Sequence, residues 1–246
     1  MSELVLVVAV AATFFAAGIV KGVTGMGLPT VGMAVLGAMI SPLAAAGLLI
    51  VPAVATNLWQ LLSGPALGPL LRRLWPMMVA ISAGTLAGAA WLASGHAHAT
   101  TVLGLALAIY AAYTLCARQL RVPAAAEPWL SPLVGAITGI VTGTTGVSVM
   151  PAVPYLQALG LARDDLVQAL GLSFTVSTIA LAVGLGARGA VTADQLGLSL
   201  LALVPALAGM WAGQWLRGRI PAATFRRVFL ICLLLLGSQM ALRPLL

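Results

Sequence analysis

Lys21 is the chain's single lysine, and it stands inside an apolar run rather than at its edge. Around it the sequence reads Gly18-Ile19-Val20-Lys21-Gly22-Val23-Thr24-Gly25-Met26-Gly27-Leu28-Pro29. Halfway along, Gly135-Ala136-Ile137-Thr138-Gly139-Ile140-Val141-Thr142-Gly143-Thr144-Thr145-Gly146 repeats the pattern without the lysine and continues into Val147-Ser148-Val149-Met150-Pro151. Glycines that interrupt an apolar helix free backbone amides and let a ligand approach them. The N–H groups at the start of the next helix form a partial positive pole that suits an anion. The chemistry on offer is therefore the binding of a small anion. Its candidate ligands are Lys21, Thr24, Gly25 and Gly27 in the first stretch and Thr142, Gly143, Thr144, Thr145, Gly146 and Ser148 in the second. Asn57 and Gln60 follow in the first half; Ser173 and Ser177, one turn apart, and Thr175 and Thr178 follow in the second. Each has a plainer reading. Hydroxyls are routine glue between helices in lipid, and a lysine late in a helix can snorkel to the interface.

Other chemistry lacks the residues it needs. His96 and His98 sit in a short turn without a third metal ligand nearby, and no nucleophile–base pair stands within the apolar runs. No acidic residue lies mid-run, so a carboxylate proton relay has no member. Cys116 and Cys232 lie in apolar runs without paired spacing and read as small buried hydrophobes. Neither an enzyme, a metal nor a cofactor is expected.

The elements that must position these ligands follow from composition. The 246 residues are 61% hydrophobic and 7% charged, with a mean hydropathy of +1.10, whereas soluble domains carry about 25% charged residues. The solvent is lipid. Twelve basic against five acidic residues would suggest nucleic acid in a soluble protein. Here the arginines flank apolar runs, which is how membrane orientation is set. Met1-Ser2-Glu3 lacks a basic leader, so the first run is read as a retained helix.

The expected architecture is an all-α, polytopic transmembrane bundle. Its apolar runs cover 4–23, 28–40, 44–62, 75–93 and 99–117, then 130–142, 149–161, 167–187, 196–216 and 225–242. The polar stretch 118–127 divides them, giving a first repeat over 1–120, a linker over 121–129 and a second repeat over 130–246, in one membrane domain. Each half runs long, break, short, then three spanning helices. Gly84 and Gly88 in one half match Gly209 and Gly213 in the other, each pair preceded by a proline, Pro76 or Pro205. Such G-x-x-x-G spacing lets helices approach closely.

The run 130–142 would make only about 20 Å of helix, less than the roughly 30 Å hydrocarbon core, so the second break is expected inside the membrane. The arginines set the topology. If each long-break-short unit dips in and returns as a re-entrant hairpin, Arg72, Arg73, Arg118, Arg121, Arg163, Arg217, Arg219, Arg226 and Arg227 share one side. Only Arg188 and Arg243 face the other. The positive-inside rule then makes the first side cytoplasmic, the halves inverted copies, and both termini external. Arg163-Asp164-Asp165 reads as a solvated loop that can cap a helix beginning near Leu166.

At these residues the chain resembles the sulfite/sulfonate exporter family of TauE/SafE-type membrane permeases. The resemblance rests on Val20 through Pro29, on Thr142-Gly143-Thr144-Thr145-Gly146, on Pro151 through Gly160, and on Gln168-Ala169-Leu170-Gly171-Leu172-Ser173-Phe174. It implies transport of sulfur oxyanions, small organosulfur anions or related carboxylates across a bacterial inner membrane. The expected partners are a small anionic substrate and the bilayer. A coupling ion, proton or sodium, and a homo-oligomer stay open. Two other classes compete, a non-transporting subunit of a larger complex and a membrane-embedded enzyme.

Overall fold

In lipid a spanning backbone must satisfy its own hydrogen bonds, and the apolar runs accordingly close into helices. The computed structural model describes residues 3–116, 121–217, 219 and 221–243; Arg118 of the expected linker lies outside them. Ten helices and no strand occur among the described residues: α1 (Glu3–Thr24), α2 (Leu28–Met39), α3 (Pro42–Leu62), α4 (Leu67–Ala93), α5 (Ala99–Cys116), α6 (Glu127–Thr145), α7 (Ala152–Ala158), α8 (Arg163–Gly186), α9 (Ala193–Arg217) and α10 (Ala222–Leu242). Seven of these, α1, α3, α4, α5, α8, α9 and α10, are long and apolar enough to cross a membrane. The exterior agrees: Trp211, Val204 and Leu201 are each about two-thirds exposed or more, as a surface facing acyl chains should be.

Four expectations change. Helix α6 is 19 residues long, about 28 Å, so the helix before the second break is not the short stub that the run 130–142 suggested. It starts earlier because Glu127 in its first turn pairs with Arg73, Nε to Oε1 at 2.6 Å and Nη2 to Oε2 at 2.7 Å. It ends later because Thr144 and Thr145 bond back to carbonyls of their own helix. Arg72 and Arg73 lie inside α4 rather than before it, and Arg163-Asp164-Asp165 is the first turn of α8, not a loop. Two carboxylates there complement the helix dipole. Finally, Cys116 and Cys232 are exposed rather than buried.

Packing pairs cross the midpoint of the chain. Helix α1 packs on α9 and α6 on α4, α3 on α8, and α5 on α10, while α3 also meets α9 and α8 meets α4. The first two pairs are parallel and glycine-lined. A Cβ on Gly22 would lie 2.3 Å from Met210 O, and one on Gly143 would lie 2.4 Å from Thr85 O. The α3–α8 pair is antiparallel, with Asn57 beside Thr178 and Gln60 beside Val167. Pro52 in α3 cannot donate to Leu48 O, and Ser199 of α9 supplies that bond at 2.8 Å while accepting Val51 N–H at 3.1 Å.

These contacts sort the connections into two ends. Gln168 ties the α3–α4 connection to the start of α8 through Gly64 O and Ala66 N. Val122 N–H donates to Ala158 O, and the Arg73–Glu127 pair joins the starts of α4 and α6. Arg163, Arg217 and Arg226 line one cavity at this same end. At the other end, a Cβ on Gly37 would meet Leu103 and Pro42, and one on Gly47 would meet Gln195. Helices α1 and α2 thus form a hairpin: α2 starts beside Val20 and Phe229 and runs back to the end where α3 begins.

Candidate functional site

The two glycine-rich stretches fold into the same local frame. Thr24 Oγ1 donates to Val20 O at 2.8 Å and accepts Met26 N–H at 3.3 Å. Thr145 Oγ1 donates to Val141 O at 2.6 Å and accepts Val147 N–H at 3.2 Å. Each threonine is followed by a glycine in the left-handed region, Gly25 at φ +77° and Gly146 at φ +72°, where a Cβ would be strained. The last helical bonds run from Gly25 N to Lys21 O at 2.8 Å and from Gly146 N to Thr142 O at 2.7 Å. Lys21 and Thr142 therefore hold equivalent places, one turn inside each break.

Beyond the caps the frames diverge. Helix α2 starts at once, with Gly27 at its N-cap (φ +105°), Pro29 in its first turn and no side-chain cap. After Gly146 the chain runs irregularly to Pro151, and α7 spans only seven residues. The positive pole expected at Gly146-Val147 is absent, because no helix begins there.

Lys21 does not snorkel. It is 4% exposed, and its ammonium donates to Asn57 Oδ1. Asn57, fully buried, donates from Nδ2 to Thr178 Oγ1 at 3.4 Å, and Thr178 donates to Phe174 O at 2.7 Å. This line of donors joins α1, α3 and α8. Thr178 also lines a central cavity with Thr142, Gly146 and Ser148, walled by Pro29 and apolar residues of α3. The cavity measures about 20 Å³, room for roughly one water and too little for an organic anion. The centre is closed.

The expected ligands thus separate. Lys21 and Asn57 stand at one side of this centre, Thr142, Gly146 and Ser148 at the cavity itself. Thr24 faces a larger cavity at the arginine-rich end, and Thr145, Gly25 and Gly27 shape the breaks. Gly143 is packed against α4, with Gly88 Cα 2.7 Å from its Cβ position. Thr144 is half-buried and bonded to Ile140 O of its own helix. Ser173 and Ser177 are fully buried without a partner and lie outside the cavity lining. Thr30 and Thr138, also buried and unpartnered, join the nearby hydroxyls; Thr138, one turn before Thr142, was open to the same periodic reading.

Long apolar helices, with two polar breaks between them, define a multi-pass membrane protein. The family model described as Sulfite exporter TauE/SafE matches residues 10–240, and the chain belongs to that family. No curated protein and no solved structure matches the chain.

Proposed function

We propose that the protein is a secondary transporter that moves a small oxyanion, a sulfur oxyanion or sulfonate, by alternating access between its two breaks. The observation that carries this reading is Lys21. A cation held in the interior is costly unless it is paired, yet its bonding partner is the neutral Asn57. The one ion pair among the described residues, Arg73–Glu127, lies elsewhere. An anion admitted between Lys21, Asn57, Thr178 and Thr142 completes the pairing. Binding then couples to movement, because the present cavity is too small to admit it without the helices shifting.

The halves 1–120 and 130–246 act in this reading as inverted repeats. What supports it is the exchange of packing partners and the opposite run of corresponding helices, α3 against α8 and α5 against α10. Arg72, Arg73, Arg121, Arg163, Arg217, Arg219, Arg226 and Arg227 gather at one end and Arg188 and Arg243 at the other. By the positive-inside rule the first end faces the cytoplasm of the inner membrane, and both termini face out.

Sulfite-loaded liposomes containing the purified protein should release sulfite faster than protein-free ones, and Lys21→Gln should abolish the difference. A non-transporting subunit would release none. Cysteines placed singly at Arg188 and Arg217, in a chain with Cys116 and Cys232 replaced by serine, test the topology. An impermeant thiol reagent applied to cells should label the first and spare the second; the reverse result sinks this orientation.

A further inference from the structure

The arginine-rich end carries a second cavity that the central site does not explain. It measures about 360 Å³, the scale of small-ligand pockets. Three helices each bring one guanidinium to it: Arg163 from the start of α8, Arg217 from the end of α9, and Arg226 from α10. Among the described residues none of the three is in an ion pair. Thr24 and Gln157 add polar atoms, and apolar side chains such as Leu170 and Phe229 wall the rest. Low-dielectric walls around like charges concentrate a positive potential in a cleft. Guanidinium groups suit the planar, paired oxygens of an oxyanion.

Position gives the cavity its role. Val23 and Thr24 line it, one turn beyond Lys21 on the same helix. Gly213, one turn before Arg217, packs against Ile19 and Gly22. The cavity therefore lies about one turn from Lys21 along α1. At the opposite end the Arg188 guanidinium donates to Gly184 O at 2.7 Å and Leu86 O at 3.4 Å.

We propose that this vestibule is an oxyanion docking site, separate from the central one, where Arg163, Arg217 and Arg226 capture the anion before it passes Thr24 to Lys21. It rests on the transport reading for its purpose, but not for its existence. The site recognises oxyanion chemistry, which a lipid phosphate shares, and we assign it to the free anion.

The test is calorimetric titration of sodium sulfite into the full chain in phosphatidylcholine nanodiscs. Lys21→Gln, which removes the central ligand, should leave a sulfite-binding component that weakens as salt rises. Adding Arg217→Gln and Arg226→Gln should weaken that component by about tenfold or more, the loss expected for charged hydrogen bonds, and flatten its salt dependence. Binding that does not change overturns the docking site. Should the glutamine variants fail to fold, Arg217→Lys with Arg226→Lys keeps the charge and removes the fork. It should weaken binding while retaining the salt dependence, and unaltered affinity counts against the assignment. Repeating the titration in phosphatidylglycerol nanodiscs separates the sources: retained sulfite binding supports the free anion, and its loss gives the site to lipid phosphate instead. Arginine-dependent binding by a protein that releases no sulfite from liposomes leaves the vestibule standing and removes the transport reading. Transport without that binding does the reverse.

Discussion

The two breaks share a frame and differ in contents and exposure. At each, a threonine bonds four residues back and accepts an amide two residues on, and a left-handed glycine ends the helix. The equivalent inner position is Lys21 at the first and Thr142 at the second. Thr24, Gly25 and Met26 are half-buried and stand beside the vestibule, whereas Thr145, Gly146, Val147 and Ser148 are buried. The frame is what both halves need to break a helix in lipid without orphaning its amides. In the transport reading the charge is needed once, since a second buried ammonium would repel the first. In the proposed cycle the halves exchange states, so the observed difference in exposure is one of two mirror-related arrangements, open toward the arginines and sealed at the second break.

The shared frame is tested most severely at its packing glycines. Alanine at Gly22 or Gly143 drives a methyl group against a backbone oxygen at 2.3 or 2.4 Å, which helix separation alone can relieve. Overpacking of this kind costs about 1–3 kcal/mol, and both variants should fall near the top of that range, by equal amounts, in thermal unfolding in detergent. Unequal losses would show that the two interfaces do not bear the same load. Next comes the charge. Lys21→Thr makes the first break chemically like the second, and it should lower sulfite affinity at the centre by roughly 10- to 100-fold. Thr142→Val, which removes one neutral donor, should cost about tenfold at most. Equal effects in a binding titration would mean that the lysine acts as one donor among several rather than as the counter-charge.

The same comparison shows how far the residues alone could be read. Ten helices were legible from apolar runs, because lipid leaves the backbone no alternative, and their ends mostly fall within a few residues. Helix α4 is the exception: it begins at Leu67, eight residues before the apolar run, since an arginine pair at the interface can stay helical. Lys21 and Asn57 were both visible as polar residues in apolar runs, but 36 positions separate them, and only the fold makes them a pair. Gly143 shows the opposite case. A glycine in a break motif invites a ligand reading, yet its neighbours are Thr85, Gly88 and Ala89 of another helix. The G-x-x-x-G spacing of α4 was on view, and so was that of Gly135, Gly139 and Gly143 on α6, but nothing in the sequence pairs the two faces. The vestibule was illegible, because its arginines come from three separate helices and read singly as orientation signals.

The left-handed glycines should respond less than the packing ones. Gly25→Ala meets no atom within 4 Å, so its cost is backbone strain alone, about 1–2 kcal/mol. Gly146→Ala adds a contact at 2.9 Å with the Met33 side chain, a flexible thioether that can shift, and should cost slightly more. Thermal unfolding that ranks Gly25→Ala as the worse of the two would mean that the first break is under the greater constraint.

The cap threonines come last, and they separate the breaks most finely. Valine at position 24 or 145 keeps the shape and removes the acceptor for an amide two residues on. At the first break that amide belongs to Met26, beside the open vestibule, where water can replace the lost hydroxyl. At the second it belongs to Val147, which is 2% exposed, and an unsatisfied buried amide costs about 1–3 kcal/mol. Thr145→Val should therefore lower the unfolding temperature more than Thr24→Val, while Thr24→Val alone should weaken the salt-dependent sulfite binding assigned to the vestibule. If Thr24→Val is the more destabilising, the first break is drier than its exposure indicates, and the inequality between the two breaks disappears.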